Sequence, residues 1–95
     1  MAHPKLDDAA LRAALTELKD WQIADGKLHR SFRFRDFRAA FGFMATCATI
    51  AEAMNHHPEW RNVYRDVDVW LTTHDAGGIT DLDVRLAREM DDRAG

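Results

Sequence analysis

The run His56-His57-Pro58-Glu59-Trp60, with His74 seventeen residues after His57, concentrates groups able to move protons. Imidazole is the one side chain whose unperturbed pKa lies in the physiological range, so it gives or takes a proton near neutrality. Glu52, Trp60 and the later Asp83 add carboxylates and an aromatic surface to the same part of the chain. Three readings are open at this point: acid–base or ligand-binding histidines, ordinary surface histidines, and a metal site. Zinc needs three or four ligands converging tetrahedrally. Adjacent histidines are awkward for that, and neither a cysteine cluster nor a His-Glu-x-x-His pattern supports it. Glu52 lies one turn before His56 on the same helix face, where it could bind a ligand, orient an imidazole or form a solvated pair. Asp83 could reach back to a helix cap or accept a ring N–H. Trp60 could stack on a flat heterocycle or fill the core.

These groups need elements to hold them. Asp7 or Asp8 caps a first helix running to about Leu18, with Leu11, Leu15 and Leu18 on one face. Trp21 to Ala24 reads as a short strand, Asp25-Gly26 as a hairpin turn, and Lys27 to Phe34 as the returning strand. Alternation places Leu28, Arg30, Phe32 and Phe34 on one face of that strand, and His29, Ser31, Arg33 and Arg35 on the other. Asp36 caps a long second helix ending near Asn55 or His56, and Pro58 forbids its continuation. That helix carries two apolar stripes: Phe37, Ala40, Phe41, Met44, Ala48 and Ala51, then Phe43, Cys47, Ile50 and Met54. A helix apolar on two faces must bury both, so it predicts self-association over residues 36–56; one broad core face is the alternative. Val63-Tyr64 and Val67 to Thr73 read as strand, Ala76-Gly77-Gly78 as loop. Thr80 to Asp83 opens a third helix with capping-box chemistry. The order implies an α+β fold with antiparallel strands and the helices collected on one face.

Composition narrows the function classes. A chain of 95 residues predicts one domain over 1–95, and its apolar content argues against disorder. A net charge of −3 offers no overall attraction for nucleic acid or anionic membrane. Arg30, Arg33, Arg35 and Arg38 interleave with Phe32, Phe34 and Phe37, but strand alternation explains that pattern more simply than nucleic-acid binding. The opening residues lack the apolar core of a signal peptide, and the apolar stretch from about Ala39 to Ala51 is short of the ~20 residues that span a bilayer. No membrane association and a cytoplasmic location are expected. Cys47, inside an apolar helical pattern, reads as a buried, inert thiol.

The string from Glu52 through His56-His57-Pro58-Glu59-Trp60 to Asn62-Val63-Tyr64, with Thr72-Thr73-His74 and Asp83 at their later spacings, resembles the pterin-4a-carbinolamine dehydratase family. Phe32, Phe34 and Phe37 fit as well. The resemblance implies a four-stranded antiparallel sheet with three helices packed on one face, in the order α-β-β-α-β-β-α, assembled as a dimer or tetramer. It implies a hydro-lyase, independent of metal and cofactor, that converts 4a-hydroxytetrahydropterin to quinonoid dihydropterin. His56, His57 and His74 match the family's active-site histidines, and Glu52 a carboxylate that binds the pterin ring. Thr72 and Thr73 match positions whose backbone contacts the ring edge, Trp60 the pocket wall, and Asp83 the final motif acid. Two positions depart: Asn55 stands where some members have aspartate, and Leu82 where some have arginine. A homodimer or homotetramer formed through helix 36–56 and sheet edges is expected.

Overall fold

The computed structural model describes residues 3–95, so Met1 and Ala2, part of the stretch read above for a signal peptide, lie outside the described residues. The first helix, α1 (Asp8–Glu17), starts where the Asp7 carboxylate accepts from the Ala10 N–H at 2.8 Å. Ala14 and Leu18 on its inner side are buried, with Leu11 and Leu15 packed beside them. Strands β1 (Gln22–Ala24) and β2 (Lys27–Arg33) are joined by Asp25 and Gly26, both at positive φ (52° and 74°), as a two-residue hairpin turn requires. The second strand stops one residue earlier than expected, at Arg33, although the Phe34 N–H still donates to the carbonyl of the opposite Arg65 at 2.9 Å.

The long helix α2 (Phe37–Met54) is capped by Asp36, whose carboxylate accepts from the Ala39 N–H at 2.8 Å. Strands β3 (Glu59–Val63) and β4 (Asp66–Leu71) correct three sequence expectations. The third strand begins at Glu59 and takes in Trp60. Tyr64 is not strand but turn, at φ 52°, where Asn62 donates its side-chain N–H to the carbonyls of Tyr64 (3.0 Å) and Asp66 (2.9 Å). The fourth strand ends at Leu71, leaving Thr72 and Thr73 just beyond it. A single 3-10 turn (His74–Ala76) follows, and α3 (Asp81–Ala94) closes the order.

The sheet runs β1-β2-β4-β3 and every pairing is antiparallel. Leu28 and Phe32 of β2, with Val67, Val69 and Leu71 of β4, form its buried face. Phe43 and Cys47 of α2 and Leu86 and Met90 of α3 complete the core against them. Burying one such large apolar side chain contributes about 1.5–3 kcal/mol, so this layer fixes the strand ends that carry the histidines. The opposite face is open but not simply solvated as the alternation suggested. His29 and Trp70 are register partners and stack with ring centroids 4.8 Å apart, both half-buried.

The two stripes of α2 divide unequally. Ala40, Phe43, Cys47 and Ala51 are buried, and Met44, Ile50 and Met54 pack against the core from its edge. Phe37 and Phe41 stay exposed, at 50% and 57%, near the similarly exposed Tyr64 of the β3–β4 turn.

Candidate active site

The end of α2 aims the first two imidazoles. Asn55 takes the left-handed conformation (φ 51°, ψ 43°), which Asn tolerates better than other residues with a Cβ. The His56 N–H donates to the Ala51 carbonyl and the Asn55 N–H to the Glu52 carbonyl, each at 3.0 Å. This pair of bonds is a Schellman motif, and it satisfies carbonyls that a helix end otherwise leaves orphaned. The stop therefore belongs to Asn55, with Pro58 lying further on where the chain extends into β3. The reversal turns His56 inward, to 8% exposure, while His57 stays exposed.

Each of the three histidines meets its own carboxylate. His56 Nε2 lies 2.5 Å from Asp83 Oδ1, His57 Nε2 lies 2.8 Å from Glu52 Oε1, and His74 Nε2 lies 3.2 Å from Glu59 Oε2. An ionised carboxylate has no proton to give, so in the His56 and His57 pairs the ring nitrogen donates, and a neutral ring then offers Nδ1 as an acceptor, whereas His74 faces Glu59 at ion-pair distance only. The pairs differ in surroundings. Asp83 is fully buried and its Oδ2 accepts from the Thr80 N–H at 2.9 Å and the Thr73 hydroxyl at 2.8 Å. It serves the α3 capping box and the His56 ring together, so both sequence readings of Asp83 hold at once. Glu52 is mostly exposed, and it reaches His57 rather than the His56 one turn along, because the left-handed Asn55 removes His56 from the helix line. Glu59 is held below the ordinary carboxylate range, chiefly by its hydrogen bond from Lys27 Nζ (2.7 Å), with His74 adding to the effect.

One cavity of about 640 Å³ opens where the end of α2, the end of β4 and the start of α3 meet. His56, His57 and His74 line it together, with Thr72 and Thr73. The other expected residues stand off it. Asp83 sits behind His56 and Glu52 outside His57. Trp60 is a register partner of Val69 and packs against the core, on the opposite sheet face from Glu59. Asn55 and Leu82, the two positions that depart from the family pattern, both line the cavity. Three titratable groups on its wall escaped the sequence reading: Glu59, His3 and Asp75, the last beside His74 on the 3-10 turn. Glu59 lay within the quoted motif but received no role, although its alternation with Trp60 turns the two to opposite faces. His3, whose Nδ1 lies 2.7 Å from Asp81 Oδ1, is too far along the chain for any spacing to reveal. Among the described residues no cluster of three or more histidine, cysteine or acidic side chains is arranged to hold a metal ion.

An α+β layer presenting several carboxylate-flanked imidazoles to one small cavity defines a class: proteins equipped for proton transfer on a small molecule. The comparisons make this specific. Residues 4–93 match the family model described as pterin 4 alpha carbinolamine dehydratase. A protein of Solibacter usitatus, provisionally named pterin-4-alpha-carbinolamine dehydratase, is 54% identical over 87 residues, covering 92% of each chain. A Bradyrhizobium protein with the same provisional name is 57% identical over 89 residues, covering 92% of this chain and 90% of its own. A crystal structure described as a transcriptional coactivator/pterin dehydratase from Brucella melitensis superposes with a TM-score of 0.92 at 48% identity, covering 96% of this chain and 99% of that one. The chain belongs to the pterin-4-alpha-carbinolamine dehydratase family, a family of hydro-lyases.

Proposed function

We propose that this protein dehydrates 4a-hydroxytetrahydropterin to the quinonoid dihydropterin, with His56, His57 and His74 as its acid–base groups. The observation that carries this reading is the convergence of three imidazoles, each beside a separate carboxylate, on one cavity. Loss of water needs a proton delivered to the departing 4a-hydroxyl and another taken from a ring nitrogen as the carbon–nitrogen double bond forms. Positioned imidazoles serve either step, each transfer being worth about 10²–10⁴-fold. Asp83 and Glu52 fix the rings of His56 and His57, while the backbone of Thr72 and Thr73 meets the edge of the pterin. Trp60 supports the wall from the core side. On this reading the substrate is the product of an aromatic amino-acid hydroxylase, and the protein's role is tetrahydrobiopterin recycling.

Self-association belongs to the same proposal. Phe37 and Phe41 on α2 form an exposed aromatic surface of the kind that marks an interface, supporting a homodimer or homotetramer built through this helix and sheet edges. The functional reading is tested by adding the purified protein to freshly generated 4a-carbinolamine in a stopped-flow instrument. Dehydration well above the spontaneous rate supports it; a rate equal to the spontaneous one sinks it and favours a non-catalytic pterin-binding or regulatory module.

A further inference from the structure

Glu59, the carboxylate beside the third imidazole, has so far been given no role of its own, yet it touches the least supported of the three rings. His56 is buried and His57 follows directly on the capped end of α2, whereas His74 is 78% exposed on a short 3-10 turn. Something must limit the rotation of its ring if it is to meet a substrate in one orientation.

The sheet register explains how Glu59 can do this. Glu59 pairs with Trp70, and strand alternation sends its side chain to the open face, the side that also carries His29 and Lys27. Leu28 pairs with Leu71, so Lys27 lies level with Thr72 on the other flank of β4. Lys27 and Glu59 therefore approach from two strands that are not neighbours, and their ion pair at 2.7 Å spans the end of β4. The free oxygen of the same carboxylate, Oε2, lies 3.2 Å from His74 Nε2. One oxygen is anchored by the lysine and the other faces the imidazole.

We propose that Glu59, anchored by Lys27 across the end of β4, is a positioning residue that fixes the ring of His74 and its tautomer for proton transfer. The inference rests on the dehydratase reading above. Glu59 does not itself exchange a proton with substrate; its Oε2, facing Nε2 at 3.2 Å, favours a proton on that nitrogen and so leaves Nδ1 of His74 as the working nitrogen. Both partners are partly exposed, so the contact acts on orientation more than on binding strength.

The test compares wild type, Glu59→Gln, Glu59→Asp and Lys27→Met by steady-state dehydration, thermal melting and ¹⁵N NMR of the histidine rings. Glu59→Gln is expected to lower kcat about three- to tenfold, in line with a partly exposed contact, while KM changes less than twofold. In that variant the His74 Nε2 resonance moves toward a mixed-tautomer position. Lys27→Met shifts kcat and the resonance in the same direction but less, and Glu59→Asp recovers part of both. Unchanged kcat and an unchanged His74 spectrum overturn the proposal. So does a loss of kcat that tracks a fall in melting temperature with no change in the His74 tautomer, since that outcome makes Glu59 structural only. A wild type inactive in dehydration overturns the parent reading and the catalytic role of Glu59 with it; the NMR comparison then separately decides whether the ring is held.

Discussion

Replacing Asp83 by asparagine tests the tie between fold and site at one atom pair. Asp83 is fully buried, and its Oδ2 accepts two donors, the Thr80 N–H and the Thr73 hydroxyl. An asparagine keeps the shape and must keep its carbonyl oxygen at that doubly occupied position. Its amide nitrogen then occupies the place of Oδ1, facing His56 Nε2 at a separation that is 2.5 Å in the native protein. Two donors cannot face each other, so His56 has to surrender the Nε2 proton and carry it on Nδ1 instead. Hydrogen bonds to a charged group contribute about 1.5–3 kcal/mol against about 0.5–1.5 for neutral ones, so three weakened bonds imply a loss of roughly 3–4 kcal/mol. The variant is spared the several kcal/mol that burying a carboxylate costs, which offsets part of that loss. The expected net destabilisation is about 1–3 kcal/mol by urea denaturation followed by circular dichroism, with the chain still folded. Activity is expected to fall by more, about 10²-fold or beyond, because the nitrogen that should be free now bears the proton. A variant within about 0.5 kcal/mol of wild type and within threefold in kcat would refute the reasoning.

Three further outcomes follow from the same contacts. Phe41→Glu puts a charge on the exposed aromatic surface of α2 and should lower the association state in sedimentation equilibrium without unfolding the protomer; an unchanged state removes α2 from the interface. Burial pushes the Cys47 thiol up to about 11, with Arg93 opposing and Glu89 adding slightly, so a thiol reagent at pH 8 should react slowly with the native protein and rapidly in urea. Asp68 is held below the ordinary carboxylate range, first by its hydrogen bond from Ser31 and then by Arg61 and His29, against the upward push of burial. A carboxylate depressed in the folded state contributes stability that is present above its unfolded pKa, about 3.9, and is lost as pH falls through the lower folded value. The urea midpoint should therefore drop below about pH 4, and Ser31→Ala should flatten that acid limb.

Much of the framework could be read without coordinates because local signals agreed with one another. Asp25-Gly26 meets the two positive φ values of its turn, and Asp36 and Thr80 cap the helices they precede. Alternation of Leu28 and Phe32 located the buried face of β2. The errors came where side-chain logic competed with backbone logic. Tyr64 has strong strand propensity, but Asn62 holds it in a tight turn. The sequence places the end of α2 near Asn55 correctly, but its cause is the left-handed Asn55 rather than Pro58, and that turn exchanges the partner of Glu52 from His56 to His57. Trp60 was expected on the pocket wall, yet the start of β3 at Glu59 turns the indole to the core and the carboxylate toward His74. His3 reaches the cavity only through tertiary packing, which no spacing encodes.

The central claim is that three imidazoles, each beside its own carboxylate, dehydrate the carbinolamine. Its most direct test is stopped-flow dehydration by His56→Ala, His57→Ala and His74→Ala, each first shown to be folded. The account expects each variant to lose about 10²-fold or more in kcat/KM, with the largest losses at the two rings that give and take the proton. Full activity in all three would contradict it.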